Sequence, residues 1–153
     1  DAPAPTLALP TDRAKTHPKI GLVADAAAAL VGAYGPRVGF AVGMHQAVWV
    51  APSFVRGFGR RGASLEVVYA VMPLGRGLEG LRIAAFASAA YYPTDEPVRS
   101  FRAGAEAGYA HTWGRLFLGG AMGAASSVVF TVGGQGERSW HPIVRAELGV
   151  VFL

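Results

Sequence analysis

Seven charged residues fall inside stretches whose side chains alternate between polar and apolar: Asp25, Glu66, Arg82, Arg102, Glu106, Arg145 and Glu147. A β-strand repeats every two residues, so each of these charges lies on the polar parity of its stretch, opposite the apolar one. Three guanidinium groups and four carboxylates on a common face have two uses. They form a path for protons or ions, or they pair with one another and fill the space as a structural plug. Burying a charge without a partner costs several kcal/mol, so the plug is the expected arrangement.

Other reactive side chains are less ordered. Histidines stand at positions 17, 45, 111 and 141, with no i, i+4 pair and no second ligand at metal spacing on one strand face. No metal and no cofactor is expected. Ser64, Ser88 and Ser127 share the charged parity, but nothing in the spacing selects one as a nucleophile. The stretch from Phe54 to Arg61 interleaves Arg56, Arg60 and Arg61 with two phenylalanines. Guanidinium groups suit forked phosphate contacts, and a solvated basic loop is the plainer reading. On the apolar parity, Ala85, Ala87, Ala89, Ala103, Ala105 and Ala107 make a smooth strip where larger side chains would be usual. Small residues let a partner approach closely inside a membrane, although an alanine-rich composition is the plainer explanation of the strip.

The elements that must position these groups are strands. Residues 20–34 alternate, although four alanines at 26–29 also suit a helix, and the strand is preferred because Gly35-Pro36 then turns into a partner at 37–50. Further strands are expected at 63–72, 81–92, 101–112, 116–130 and from about 143 to the end. Loops or turns fall at 51–62, 73–80, 93–100, 113–115 and 131–142. Residues 1–19 form a proline-rich segment, and the barrel proper spans 20–153. Seven strands are clear, so an eighth must come from residues 2–9 or from a partner. Phe117 and Ser126 break the alternation of their strand. Gln46 sits on the apolar parity, and a bulge near His45-Gln46 would turn it inward and Trp49 outward.

Composition agrees with an unusual surface. Of 153 residues, 52% are hydrophobic and 16% charged, below the roughly 25% of an average soluble domain. No uninterrupted apolar run reaches the roughly 18 residues of a membrane helix, because Asp25 breaks the nearest one. There is no cysteine, which removes disulfides and thiolate sites. The net charge of +4 suits an anionic surface but reports on solubility first, and no nucleic-acid partner is expected. The chain starts Asp1-Ala2-Pro3 with no leader, as a protein does after signal-peptide removal or as a trimmed piece does.

Seven charges on the parity opposite the apolar face, with glycines at 39, 43, 104, 108, 119 and 123 beside them, describe a barrel with an apolar outside and a polar inside. Strands of 10–15 residues, aromatics near their ends (Tyr34, Trp113 and Phe152 at one rim; Tyr91, Phe101, Phe130 and Trp140 at the other) and unequal connections point the same way. On these residues, and on a final strand with alternate apolar residues before a near-terminal aromatic, the chain resembles the small bacterial outer-membrane β-barrels of the OmpA/OmpX-like, eight-stranded kind. The resemblance implies an all-β, antiparallel, up-and-down transmembrane barrel in the bacterial outer membrane, non-enzymatic, with a structural or interaction role. It implies contact with lipid and lipopolysaccharide, the latter through Arg56, Arg60 and Arg61. It also implies recognition of Leu148, Val150 and Phe152 by the barrel-assembly machinery, and the alanine strip would then face a membrane partner or a second copy. Two alternatives are a lipid-modifying outer-membrane enzyme, for which the His-x-Ser element of lipid A deacylases is not found, and a soluble ligand-binding barrel.

Overall fold

The computed structural model describes residues 19–57, 59–131, 134 and 136–152. β1 (Ile20–Asp25) leads into a short helix, α1 (Ala26–Leu30), and a two-residue strand, β2 (Ala33–Tyr34). Seven further strands follow: β3 (Pro36–Gly43), β4 (Gln46–Gly57), β5 (Arg60–Arg76), β6 (Glu79–Tyr92), β7 (Val98–Trp113), β8 (Leu116–Phe130) and β9 (Glu137–Phe152). All pairings are antiparallel, in the order β4-β3-β1-β9-β8-β7-β6-β5, and β5 pairs back with β4. Leaving aside β2, which only extends the ladder beside the end of β4, the result is a closed eight-stranded barrel. Closure leaves no long exposed edge, which is how an antiparallel sheet avoids pairing with other chains.

Three expectations about the first half of the chain are corrected. Residues 20–34 are not one strand: β1 ends at Asp25, whose Oδ1 accepts from the Ala28 amide at 3.1 Å and caps α1. Alanine has the highest helix propensity, and β3 already returns against β1 at Ala24↔Pro36, so the residues between have no ladder to join there. Residues 37–50 are two strands, turned at Met44 and His45. That turn is held by Met72 N donating to His45 O at 2.8 Å and Gly77 N to Met44 O at 3.0 Å. Residues 51–62 are not a loop, because β4 runs to Gly57 and β5 begins at Arg60. The eighth strand is therefore β4. The proposed strand at residues 2–9 lies outside the described residues.

The bulge is also placed differently. The register of β3 against β4 shifts between Ala41 and Gly43, not at His45-Gln46, so Gln46 is exposed and Trp49 points inward, 2% exposed. Two-residue turns join the strands at Met44-His45, Gly77-Leu78 and Gly114-Arg115, all at one end. The opposite end carries the connections that follow β1, β4, β6 and β8, so Tyr34 and Gly35-Pro36 belong to this loop end, not to the rim of Trp113 and Phe152. Residues 73–80 and 131–142 contain less loop than expected, since β5 extends to Arg76 and β9 starts at Glu137.

Candidate functional site in the barrel lumen

The interior is layered. At the turn end, Trp49 from β4 and Phe117 from β8 meet with ring centroids 5.6 Å apart, packed with Val23, Val68, Met72, Leu78 and Val151. Phe117 thus breaks its strand's pattern only in polarity, because it faces inward with the charges. The small residues beside these rings are there for space: a Cβ at Gly39 would come within 2.5 Å of the Trp49 ring, and one at Gly119 within 2.9 Å of the Glu147 carboxylate.

Above this floor lies the charged layer. All seven charges named from the sequence project into the lumen, and an eighth, Arg37 on β3, joins them at 2% exposure. In the sequence Arg37 falls at a strand end beside Gly35-Pro36, and its parity with the inward Gly39 is the signal that places it inside. With Arg37 the layer holds four arginines (37, 82, 102, 145) and four carboxylates (25, 66, 106, 147), so its formal charge is 4 − 4 = 0. Glu147, 1% exposed, sits at the centre and accepts from Arg37 Nη1 at 2.5 Å and from Arg82 Nη1 and Nη2 at 2.8 and 3.2 Å. Arg145 donates through Nε to Glu106 and lies 3.4 Å from Asp25 and 3.0 Å from Glu66. Arg102 donates to Glu66 at 2.9 Å, and its side chain is half-buried. Arg102 and Arg145 both lie over the Phe86 ring, 5.7 and 5.2 Å from its centroid. Each charge is neutralised by neighbours from other strands, which is what makes burial of eight charged groups tolerable.

A cavity of about 280 Å³ lies on the loop-end side of this layer. Ser53, Ser64, Ser88, Ser100 and Ser127 line it from five successive strands, β4 to β8, and α1 with Val31, Gly32 and Ala33 covers part of it. Ser64, Ser88 and Ser127 thus share a space, but no histidine among the described residues lines it. His45 Nδ1 instead bonds Gly75 O at 2.7 Å, and His111 pairs with Glu79 at 2.9 Å near the turn end. His17 lies outside the described residues.

Comparison with protein-family models, with curated proteins and with solved structures finds no match to this chain. The resemblance therefore rests on architecture, a closed antiparallel barrel of eight strands.

The remaining predicted sites lie on the outer face. Arg56 and Arg61 are direct cross-strand neighbours on β4 and β5 and both are exposed. Arg60 does not belong with them: on the other parity, it donates to Thr94 Oγ1 at 2.8 Å and to the Glu96 carbonyl at 2.6 Å, tying down the next loop. Arg99 and Arg138, within the expected loops 93–100 and 131–142, lie instead on β7 and β9 and are exposed at the same end. Arg138 donates to Ser126 at 2.9 Å and lies 5.6 Å from the Trp140 ring centroid, which accounts for the polar Ser126 on the outer parity. The six alanines are exposed on β6 and β7, with Ala85 opposite Ala105, Ala87 opposite Ala103, Ala89 opposite Phe101 and Ala107 opposite Ile83. Leu148, Val150 and Phe152 point outward and pair with Ala24, Leu22 and Ile20 at the closure of the barrel.

Proposed function

We propose that this chain is a transmembrane β-barrel of a bacterial outer membrane, non-enzymatic, with a structural or interaction role and a lumen plugged by its charged layer. The observation that carries the reading is the sorting of charge. Along β9 the outward residues from Trp140 to Phe152 are Pro142, Val144, Ala146, Leu148 and Val150, and along β5 they are Ala63, Leu65, Val67, Tyr69 and Val71. Four arginines and four carboxylates meanwhile lie inside. Water-soluble monomers rarely expose contiguous apolar surface beyond a few hundred Å², whereas a lipid-facing barrel requires it.

The rims fit the same reading. Phe54, Tyr91, Phe101, Phe130 and Trp140 are exposed toward the loop end, with Arg56, Arg61, Arg99 and Arg138 among them, and Tyr109, Trp113 and Phe152 are exposed toward the turn end. Aromatic side chains favour both membrane interfaces, and arginines beside them meet the phosphates of lipid or lipopolysaccharide. Leu148, Val150 and Phe152 act as the assembly signal, and the alanine strip on β6 and β7 is the surface for a membrane partner or a second copy.

Heat-modifiable migration of the detergent-extracted protein tests the reading: a folded band that shifts on boiling is expected, and a chain that stays in plain buffer and shows no shift overturns it. A lipid A mass spectrum unchanged by the protein is expected of a non-enzymatic barrel. A shifted spectrum would move the chain to the lipid-modifying enzymes.

A further inference from the structure

We propose that the serine-lined cavity at the loop end of the lumen binds a phosphate-sized oxyanion. The inference concerns the inside of the barrel and holds whether lipid or water surrounds it. Three observations lead to it, and they concern charge, unused donors and room.

The charged layer is neutral as a whole but uneven across its two sides. Glu106 and Glu147 do not line the cavity, whereas the inward arginines Arg37, Arg102 and Arg145 do, against Asp25 and Glu66. The inward charged residues around the cavity therefore sum to 3 − 2 = +1. An oxyanion placed there meets a wall with one guanidinium more than its carboxylates.

The donors on that wall exceed the acceptors. Arg37 and Arg145 are 2% and 6% exposed, yet Nη2 of each donates a hydrogen bond to no protein atom among the described residues. Both nitrogens converge on Glu66 Oε1, at 3.7 and 3.0 Å, which satisfies charge but not hydrogen-bond geometry. Five serine hydroxyls stand around the same space, each able to donate. A buried donor without an acceptor costs about 1–3 kcal/mol, more when it is charged, so an acceptor-rich anion gains from several groups at once. Water supplies acceptors but no negative charge, and at ~30 Å³ per molecule it leaves the excess positive charge uncompensated. The cavity's roughly 280 Å³ accommodates the anion with part of its hydration.

Titration of the full folded chain with inorganic phosphate, followed by calorimetry and by phosphorus NMR line broadening, tests the site. Saturable binding at one site is expected. Filling the cavity with Ser64→Leu and Ser88→Leu should weaken it about tenfold or more. Should that variant fail to fold, Ser53→Ala with Ser100→Ala removes two donors without adding volume and should weaken binding in the same direction. Arg61→Ser with Arg99→Ser, both exposed on the outer rim and outside the cavity lining, should change affinity by less than about twofold. Absence of saturable binding overturns the proposal, and so does binding that ignores the serine changes but disappears with the outer-rim pair.

Discussion

Arg37 and Glu147 meet at 2.5 Å inside the barrel, although 110 residues separate them and β1 lies between their strands. Arg82 reaches the same carboxylate from β6, so Glu147 joins two guanidinium groups that would otherwise repel in a buried layer. Glu147→Gln is expected to lower stability by about 3–5 kcal/mol, because it leaves both cations short of a counter-charge. Arg102→Gln, whose partner contact is half-exposed, should cost about 1 kcal/mol or less. Urea unfolding curves compare the two; equal losses would contradict the central role of Glu147.

Trp49 is the anchor of the apolar floor, and Trp49→Ala should cost about 3–5 kcal/mol. The three tryptophans also report on their surroundings, since Trp49 is 2% exposed and faces Phe117, while Trp113 and Trp140 are 55% and 69% exposed at opposite ends. In single-tryptophan variants placed in bilayers of brominated lipid, Trp113 and Trp140 should be quenched and Trp49 spared. Quenching confined to none of the three would argue against lipid contact.

A charge placed on the outer face separates lipid from water directly. Val67→Arg and Ile83→Arg, both exposed on the apolar parity at mid-strand, should destabilise the barrel in a bilayer by about 2–4 kcal/mol each. In a water-soluble barrel the same changes would be close to neutral. Unfolding in liposomes gives the difference.

The alanine strip predicts an effect on assembly and none on folding. Ala87→Leu with Ala105→Leu should leave heat-modifiable migration intact and release a partner or second copy on a native gel run in mild detergent. Unchanged migration of the assembled species would remove the strip as a contact surface.

The registers show what a linear reading reaches and where it stops. Alternation alone separated Leu148 from Glu147 and Leu65 from Glu66, because a two-residue repeat sends neighbours to opposite faces whatever the strands pair with. The alanines at 26–29 were ambiguous for the opposite reason: their propensity favoured a helix and their setting a strand. The Asp25 cap and the early return of β3 settled the matter.

The turn at Met44 and His45 carries no Pro or Asn-Gly signal, so one strand was read where two exist, and the count fell one short. Its hydrogen-bond partners, Met72 and Gly77, come from a different hairpin. Trp49 is placed by that register, whereas Arg37, upstream of the turn, follows the parity of Gly39.

By itself the chain determined which side chains share a face: the apolar set, the seven charges, and the polar parity that carries Ser64, Ser88 and Ser127. That information is local, because side-chain direction follows from backbone geometry residue by residue. Only the tertiary structure decided the closure of β1 on β9, the place of Trp49, and the height at which charges from six strands meet below the serines of β4 to β8. Those depend on strand stagger and on long-range hydrogen bonds, which no single strand's sequence encodes.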